Sequence, residues 1–190
     1  MRGQTAVPRQ TSVVTVDEFA RLPDDDFRYE LVAGVVHRMS PVGARHGVVT
    51  LRLGAALTAW ADRHQAGAVM TETGFVLATN PDTVRAPDLS FVRRERIPHG
   101  GLPDSFWRAA PDLAVEVLSP DDRQADVAVK VREYLSHGVT LVWVIDLSAR
   151  TVTVHRPAAA PETLTGECML DGGNVLAGFA LPAGRLFSEI

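Results

Sequence analysis

DLAVEVL (residues 112–118), followed by SPDDRQADVAVKVREYLSHG (119–138) and VTLVWVID (139–146), is the stretch whose reading decides the fold. Residues 112–118 alternate with a period of two, so Leu113, Val115 and Val117 share one face of a strand while Ala114, Glu116 and Leu118 share the other. Ser119 has the chemistry of a helix N-cap, Pro120 suits a first helical position, and Asp121 and Asp122 face the positive end of the helix dipole. The pattern predicts a helix from there to His137, stopped at Gly138. The apolar run 139–146 reads as a buried strand. Two strands joined through a helix require a crossover connection, so the expected fold class is α/β, with a mixed central sheet and helices on its faces.

Working outward, Thr15-Val-Asp-Glu18 has the form of a capping box and opens a short helix ending near Leu22-Pro23. FRYELVAGVVHRM (27–39) reads as two strands turning at Ala33-Gly34. After the break at Ser40-Pro41, a helix is expected over 44–64, with Val48, Val49, Leu51, Leu53, Leu57 and Trp60 near helical spacing. Residues 67–92 read as a hairpin about Asn80-Pro81-Asp82, and 93–111 as a polar loop with one turn near Phe106-Trp107. Residues 151–156 pair with or continue the sheet. The expected organisation is a disordered tail (1–13), one α/β core (14–157) and a C-terminal β extension with a Gly-Gly turn (158–190). There are no internal repeats.

Composition sets further bounds. A chain of 190 residues, 46% of them hydrophobic, suits one soluble domain with a full core. The single cysteine, Cys168, excludes an intrachain disulfide and a four-cysteine zinc centre, and fits a reducing, cytoplasmic setting. The longest strongly apolar stretch falls far short of the roughly 20 residues a bilayer span needs, so no membrane is implied. A net charge of −4 argues against tight nonspecific binding to nucleic acid, yet it allows an acidic site that takes up a divalent cation. The chain holds 18 arginines and one lysine, Lys130. Lysine is a compact point charge and arginine a delocalised fork, so a lone lysine against that background asks for a reason.

Three residues stand out chemically. Glu116 sits in the middle of an otherwise apolar strand, where a buried carboxylate is costly unless paired or metal-bound. Its bland alternative is a solvent-facing or arginine-paired glutamate. In RAPDLSFV (85–92), Leu89 and Phe91 point one way and Asp88 the other, with Pro87 suited to a strand start. The alternative for Asp88 is a Pro-Asp turn. Lys130 borders the sheet-facing side of the helix after Glu116, near Val127, Val131 and Tyr134. Its alternative is a snorkelling surface lysine paired with Glu133. Together, two carboxylates on neighbouring strands can hold Mg²⁺ through hard oxygens, and a nearby lysine can orient water or stabilise phosphate charge. No P-loop, G-x-S-x-G, H-E-x-x-H or C-x-x-C occurs.

Pro87-Asp88, Glu116-Val117-Leu118 and Lys130 resemble the PD-(D/E)XK nuclease motif with its lysine moved to the following helix. Leu118, at the in-line lysine position, is a departure. More closely, the chain resembles the Uma-type family of restriction-endonuclease-like proteins. The matching stretches include YELVAG (29–34), MSP (39–41), His46-Gly47, EVLSP (116–120), Asp126 with Lys130 and Tyr134, Gly138-Val139 and WVID (143–146). Leu141-Val142 depart from the more polar, aromatic pair common there. The resemblance implies a three-layer α/β/α core with β-hairpin additions, with Asp88, Glu116 and the Val117 carbonyl as metal ligands. It implies Lys130 as the catalytic lysine, Glu30 supporting a metal-bound water, and His46 at the site mouth toward substrate. It further implies an Mg²⁺-dependent DNA endonuclease, with Mn²⁺ able to substitute, acting as a homodimer. Two other readings remain open: a nuclease-fold module that binds nucleic acid or protein without cutting, and a phosphodiesterase acting on a small nucleotide.

Overall fold

The computed structural model describes residues 13–23, 27–120 and 122–188. The expected disordered tail lies, except for Val13, outside the described residues. Thr15 and Glu18 form the reciprocal capping box ahead of a one-turn helix, α1 (Val16–Phe19). Strands β1 (Arg28–Val32) and β2 (Val35–Met39) pair antiparallel down to Val32 opposite Val35. The two residues between them, Ala33 and Gly34, both have positive φ (48° and 77°), the left-handed pair that a tight hairpin turn of this length requires.

Helix α2 (Ala44–His64) buries Val49, Leu53, Leu57, Trp60 and Ala61, one stripe at spacings of three and four. Leu51, read from sequence as part of that stripe, points outward and is exposed. Residues 67–92 do not form one hairpin. They divide into β3 (Gly67–Thr71), β4 (Phe75–Ala78), β5 (Thr83–Arg85) and β6 (Leu89–Arg93). The inner pair, β4 and β5, joins β1 and β2 in a four-stranded sheet of order β2-β1-β5-β4. The outer pair, β3 and β6, belongs to the main sheet. The chain bends between the two sheets at Glu72, which has φ 51°, and at Pro87, whose carbonyl accepts the Glu72 N–H. Asp88 therefore precedes β6 instead of lying within it. Trp107 forms an isolated bridge to Phe75, not a helical turn.

The main sheet is six-stranded and mixed. With β7 (Leu113–Leu118), β8 (Leu141–Asp146), β9 (Thr151–His155) and β10 (Glu162–Leu164), its order is β10-β9-β8-β7-β6-β3. Only β7 and β8 are parallel, the crossover between them being α3 (Gln124–Ser136). That helix starts later than its caps suggest. Ser119 donates its amide to the Asp122 side chain at 2.7 Å, closing a turn, and α3 begins only after Arg123. Gly138, with φ +95°, ends it as expected.

The alternation in β7 partitions the core. Leu113, Val115 and Val117 pack with Trp143 and Ile145 under α2, while Ala114 packs with Val142, Val144, Val131 and Tyr134 under α3. The result is three layers, helix–sheet–helix. The 158–190 segment adds β10 to the sheet edge and a ribbon, β11 (Met169–Gly172) with β12 (Leu176–Pro182). Leu170, Leu176 and Phe179 of this ribbon enter the α2-side core. Among the described residues no helix is long and apolar enough to cross a membrane.

Two substitutions on α2 test which face it buries. Leu53→Ala is expected to cost about 2–5 kcal/mol in chemical denaturation, whereas Leu51→Ala is expected to stay within about 0.5 kcal/mol. Comparable losses at both positions would mean that α2 is rotated from this arrangement.

Candidate active site

The site is built where two strand ends meet. Strands β6 and β7 pair antiparallel with Leu89 opposite Val115 and Phe91 opposite Leu113. One further step of the same register sets Asp88 against Glu116. The ladder at that step is completed by a side chain: the Val117 N–H donates to Asp88 Oδ2 at 2.8 Å. Asp88 Oδ2 also lies 3.2 Å from Nε2 of His46, which is buried in the first turn of α2. The Thr50 hydroxyl stands 3.4 Å from the other ring nitrogen.

Helix α3 approaches from the opposite face. Lys130 and Tyr134, one turn apart, hold the two oxygens of Glu116: Lys130 Nζ donates to Oε2 at 3.0 Å and the Tyr134 hydroxyl to Oε1 at 2.7 Å. Lys130 Nζ is also 3.1 Å from Glu30 Oε1 on β1. Glu30 is itself fully engaged, accepting from the Ala86 N–H at 3.1 Å and from Arg85 Nη1 at 2.8 Å. Arg85 Nε donates in turn to Glu133 at 2.5 Å. Glu133 thus serves Arg85, and the surface pairing of Lys130 with Glu133 does not occur.

Asp88, Glu116, Lys130, Glu30, His46 and the Val117 backbone therefore belong to one connected network. Several of its members were not anticipated as functional groups: Arg85, the Ala86 amide and the Thr50 and Tyr134 hydroxyls. A phenol four residues after Lys130 on the same helix face was a usable signal. Arg85, one of many arginines, offered none.

Charge explains the electrostatics. Three carboxylates, from Glu116, Glu30 and Glu133, share two cationic partners, Lys130 and Arg85, while Asp88 pairs with His46 and the Val117 N–H. Burial raises the Glu116 pKa to about 7, assisted by Asp88 and Glu30 and only partly opposed by Lys130. Burial works against the Lys130 charge, but Glu116 and Glu30 outweigh it and hold the ammonium above the usual lysine range. Burial also opposes the Glu30 carboxylate, which Lys130 and Arg85 nevertheless keep below its ordinary value. His46 is raised despite burial, through its hydrogen bond to Asp88. Burial and Glu116 push the Tyr134 phenol far up, so it keeps its proton and donates it to Glu116.

The donor set suits a hard cation: two carboxylates and the Val117 carbonyl, all oxygen. Burial lifts the Glu116 pKa despite the Lys130 ammonium beside it, and a bound cation would favour the ionised carboxylate. Among the described residues no three His, Cys, Asp or Glu side chains are arranged as a metal cage, so a cation here would rest on two carboxylates and backbone. A groove of about 750 Å³ between α2 and β3 opens beside Asp88 and His46, walled by Val42, Thr50, Leu51, Ala55 and Val69.

Fold and cluster together define a restriction-endonuclease-like protein. The chain belongs to the Uma2 family, described as "putative restriction endonuclease", which matches residues 16–184. It is similar to the crystal structure of "a putative nuclease belonging to DUF820" from Anabaena variabilis ATCC 29413. That similarity has a TM-score of 0.82 at 25% identity, over 92% of this chain and 98% of that one. No curated protein matches the chain.

The raised Glu116 carboxyl has a consequence for stability. Its folded pKa of about 7 lies above the ordinary 4.5, so its contribution is fully present below the lower value and is lost as pH rises through the upper one. Glu116→Gln removes that loss. Relative to the parent, its melting temperature is expected to rise between about pH 5 and about pH 8 without added metal. A difference that stays constant over this range would show that Glu116 ionises normally.

Proposed function

We propose that the protein is an Mg²⁺-dependent endonuclease that hydrolyses DNA phosphodiester bonds, with Mn²⁺ able to take the place of Mg²⁺. The observation that carries the reading is the meeting of Asp88, Glu116 and the Lys130 amine at one sheet end. Membership of the Uma2 family and similarity to a named nuclease support it.

On this reading Asp88, Glu116 and the Val117 carbonyl would hold the cation. The chemistry it would supply is polarisation of a phosphoryl oxygen and acidification of water. The chain's own residues do the rest. Lys130 remains protonated at neutral pH, because two carboxylates hold its ammonium. On this reading it is therefore a cation and proton donor, not the general base. Its role is to donate to the phosphate and to stabilise charge as water oxygen bonds to phosphorus and the phosphorus–leaving oxygen bond breaks. Glu30 fixes the Lys130 amine from the β1 side, with Arg85 fixing Glu30. These contacts support a positioning role for Glu30 through Lys130. His46, bonded to Asp88, orients that ligand at the groove mouth, where substrate would pass. A homodimer working in the cytoplasm completes the proposal, since a two-fold pair of sites cuts both strands of a duplex.

Two measurements test this. Plasmid DNA should be cut with Mg²⁺ or Mn²⁺ and left intact with chelator, and Lys130→Ala should lower the rate by about a hundredfold or more. Cutting that ignores chelator, or full activity without Lys130, removes the reading. Calorimetry should also show Mg²⁺ affinity falling as pH drops below about 7, where the metal must displace a proton from Glu116. The limit is about tenfold per pH unit. No heat of binding at any pH would favour the module that binds without cutting.

A further inference from the structure

We propose that Tyr134 is a positioning residue that sets the orientation of Glu116 for cation binding; this rests on the metal-site reading above. The phenol is fully buried among Val131, Val139, Val142 and Val144, a setting that an aromatic ring alone would fill. A hydroxyl there is costly unless it is bonded, and its partner is Glu116 Oε1 at 2.7 Å. Packing thus accounts for the ring, and only Glu116 accounts for the oxygen.

The geometry says what the bond does. A glutamate side chain rotates about three bonds, and one contact leaves its carboxylate free to swing about that contact. Lys130 holds Oε2 and Tyr134 holds Oε1, so the carboxylate plane is fixed at two points. Both clamps come from one helix face, four residues or about 6 Å of rise apart. The phenol has a single proton to give, which leaves Oε1 with a lone pair for a cation. Buried behind the carboxylate, Tyr134 does not touch substrate. It acts through Glu116, as hydrogen-bond partners of ligating carboxylates do.

The test is Mg²⁺ calorimetry on the parent, Tyr134→Phe and Val131→Ala, at a temperature where all three are folded. Removing the hydroxyl should weaken Mg²⁺ binding about tenfold or more. Val131→Ala, which loosens the same cluster but keeps the hydroxyl, should bind within about twofold of the parent. Unchanged affinity in Tyr134→Phe, or equal weakening in Val131→Ala, overturns the positioning role and leaves the cation site intact. A parent chain that binds no Mg²⁺ overturns both. Should Tyr134→Phe fail to fold, the parent decides: the Tyr134 ring carbon beside the hydroxyl should shift in NMR spectra with the same midpoint as the calorimetric curve. A resonance that stays fixed through Mg²⁺ saturation also overturns the proposal.

Discussion

The Lys130 amine lies 3.0 Å from Glu116 and 3.1 Å from Glu30, and the architecture around the sheet end is organised by that bridge. Two carboxylates meet there from β1 and β7, and Asp88, just before β6, stands beside Glu116 in the sheet register. Without a cation between them they could not share one desolvated volume, because each would raise the cost of ionising the others. A lysine suits the position better than an arginine. A point charge with three donors can serve two carboxylates from one atom, while the planar fork of arginine must reach two carboxylates through separate nitrogens set apart along its plane. The chain uses the fork next door, where the Arg85 guanidinium spreads its contacts over Glu30 and Glu133.

This bridge fixes what the fold must supply. Lys130 has to arrive over the C-terminal end of β7, which requires a helix following that strand and returning to a parallel neighbour. The crossover α3 does so, and its packing residues Val131 and Tyr134 set its distance from the sheet. Glu30 has to arrive from a second sheet, which explains why the chain between β3 and β6 is bent and not a continuous hairpin. The bend carries β5 to β1, and with it Arg85 to Glu30. On the other face, α2 contributes His46 from its first turn while its later turns seal the larger apolar core. The site thus draws on all three layers, although the catalytic candidates number only a few side chains.

Much of this was legible in the residues, unevenly and for physical reasons. Period-two alternation in 112–118 placed Glu116 opposite the Leu113 face, and the two faces of β7 do meet different helices. The unusual single lysine marked Lys130. Glu30 and His46 emerged only through resemblance to a family, because a glutamate on a strand and a histidine near a helix start carry no local signal. The partners of Glu30, Arg85 and the Ala86 amide, are set by tertiary contact across the second sheet, which spacing cannot reveal. The misplaced start of α3 has a different origin. The Asp122 carboxylate accepts the Ser119 N–H and closes a turn ahead of the helix, which begins without a side-chain cap. The split hairpin shows a third limit, since alternation continues through a bend that moves strands from one sheet to another.

A net charge of −4 and an acidic site would ordinarily repel a polyphosphate. On the proposed reading that opposition is useful. Among the described residues no lysine or arginine lines the groove beside Asp88, and Lys130 and Arg85 are already committed to carboxylates. Productive approach of a phosphodiester to the strand ends would therefore depend on the cation, which reverses the local sign at the point where the bond is to break. Affinity and chemistry would then share one switch, and metal-free protein would neither cut nor hold the reacting phosphate there. The buried acids that look like a liability for stability would then be the feature that makes binding conditional, with the clamp on Glu116 holding its oxygens in a fixed orientation.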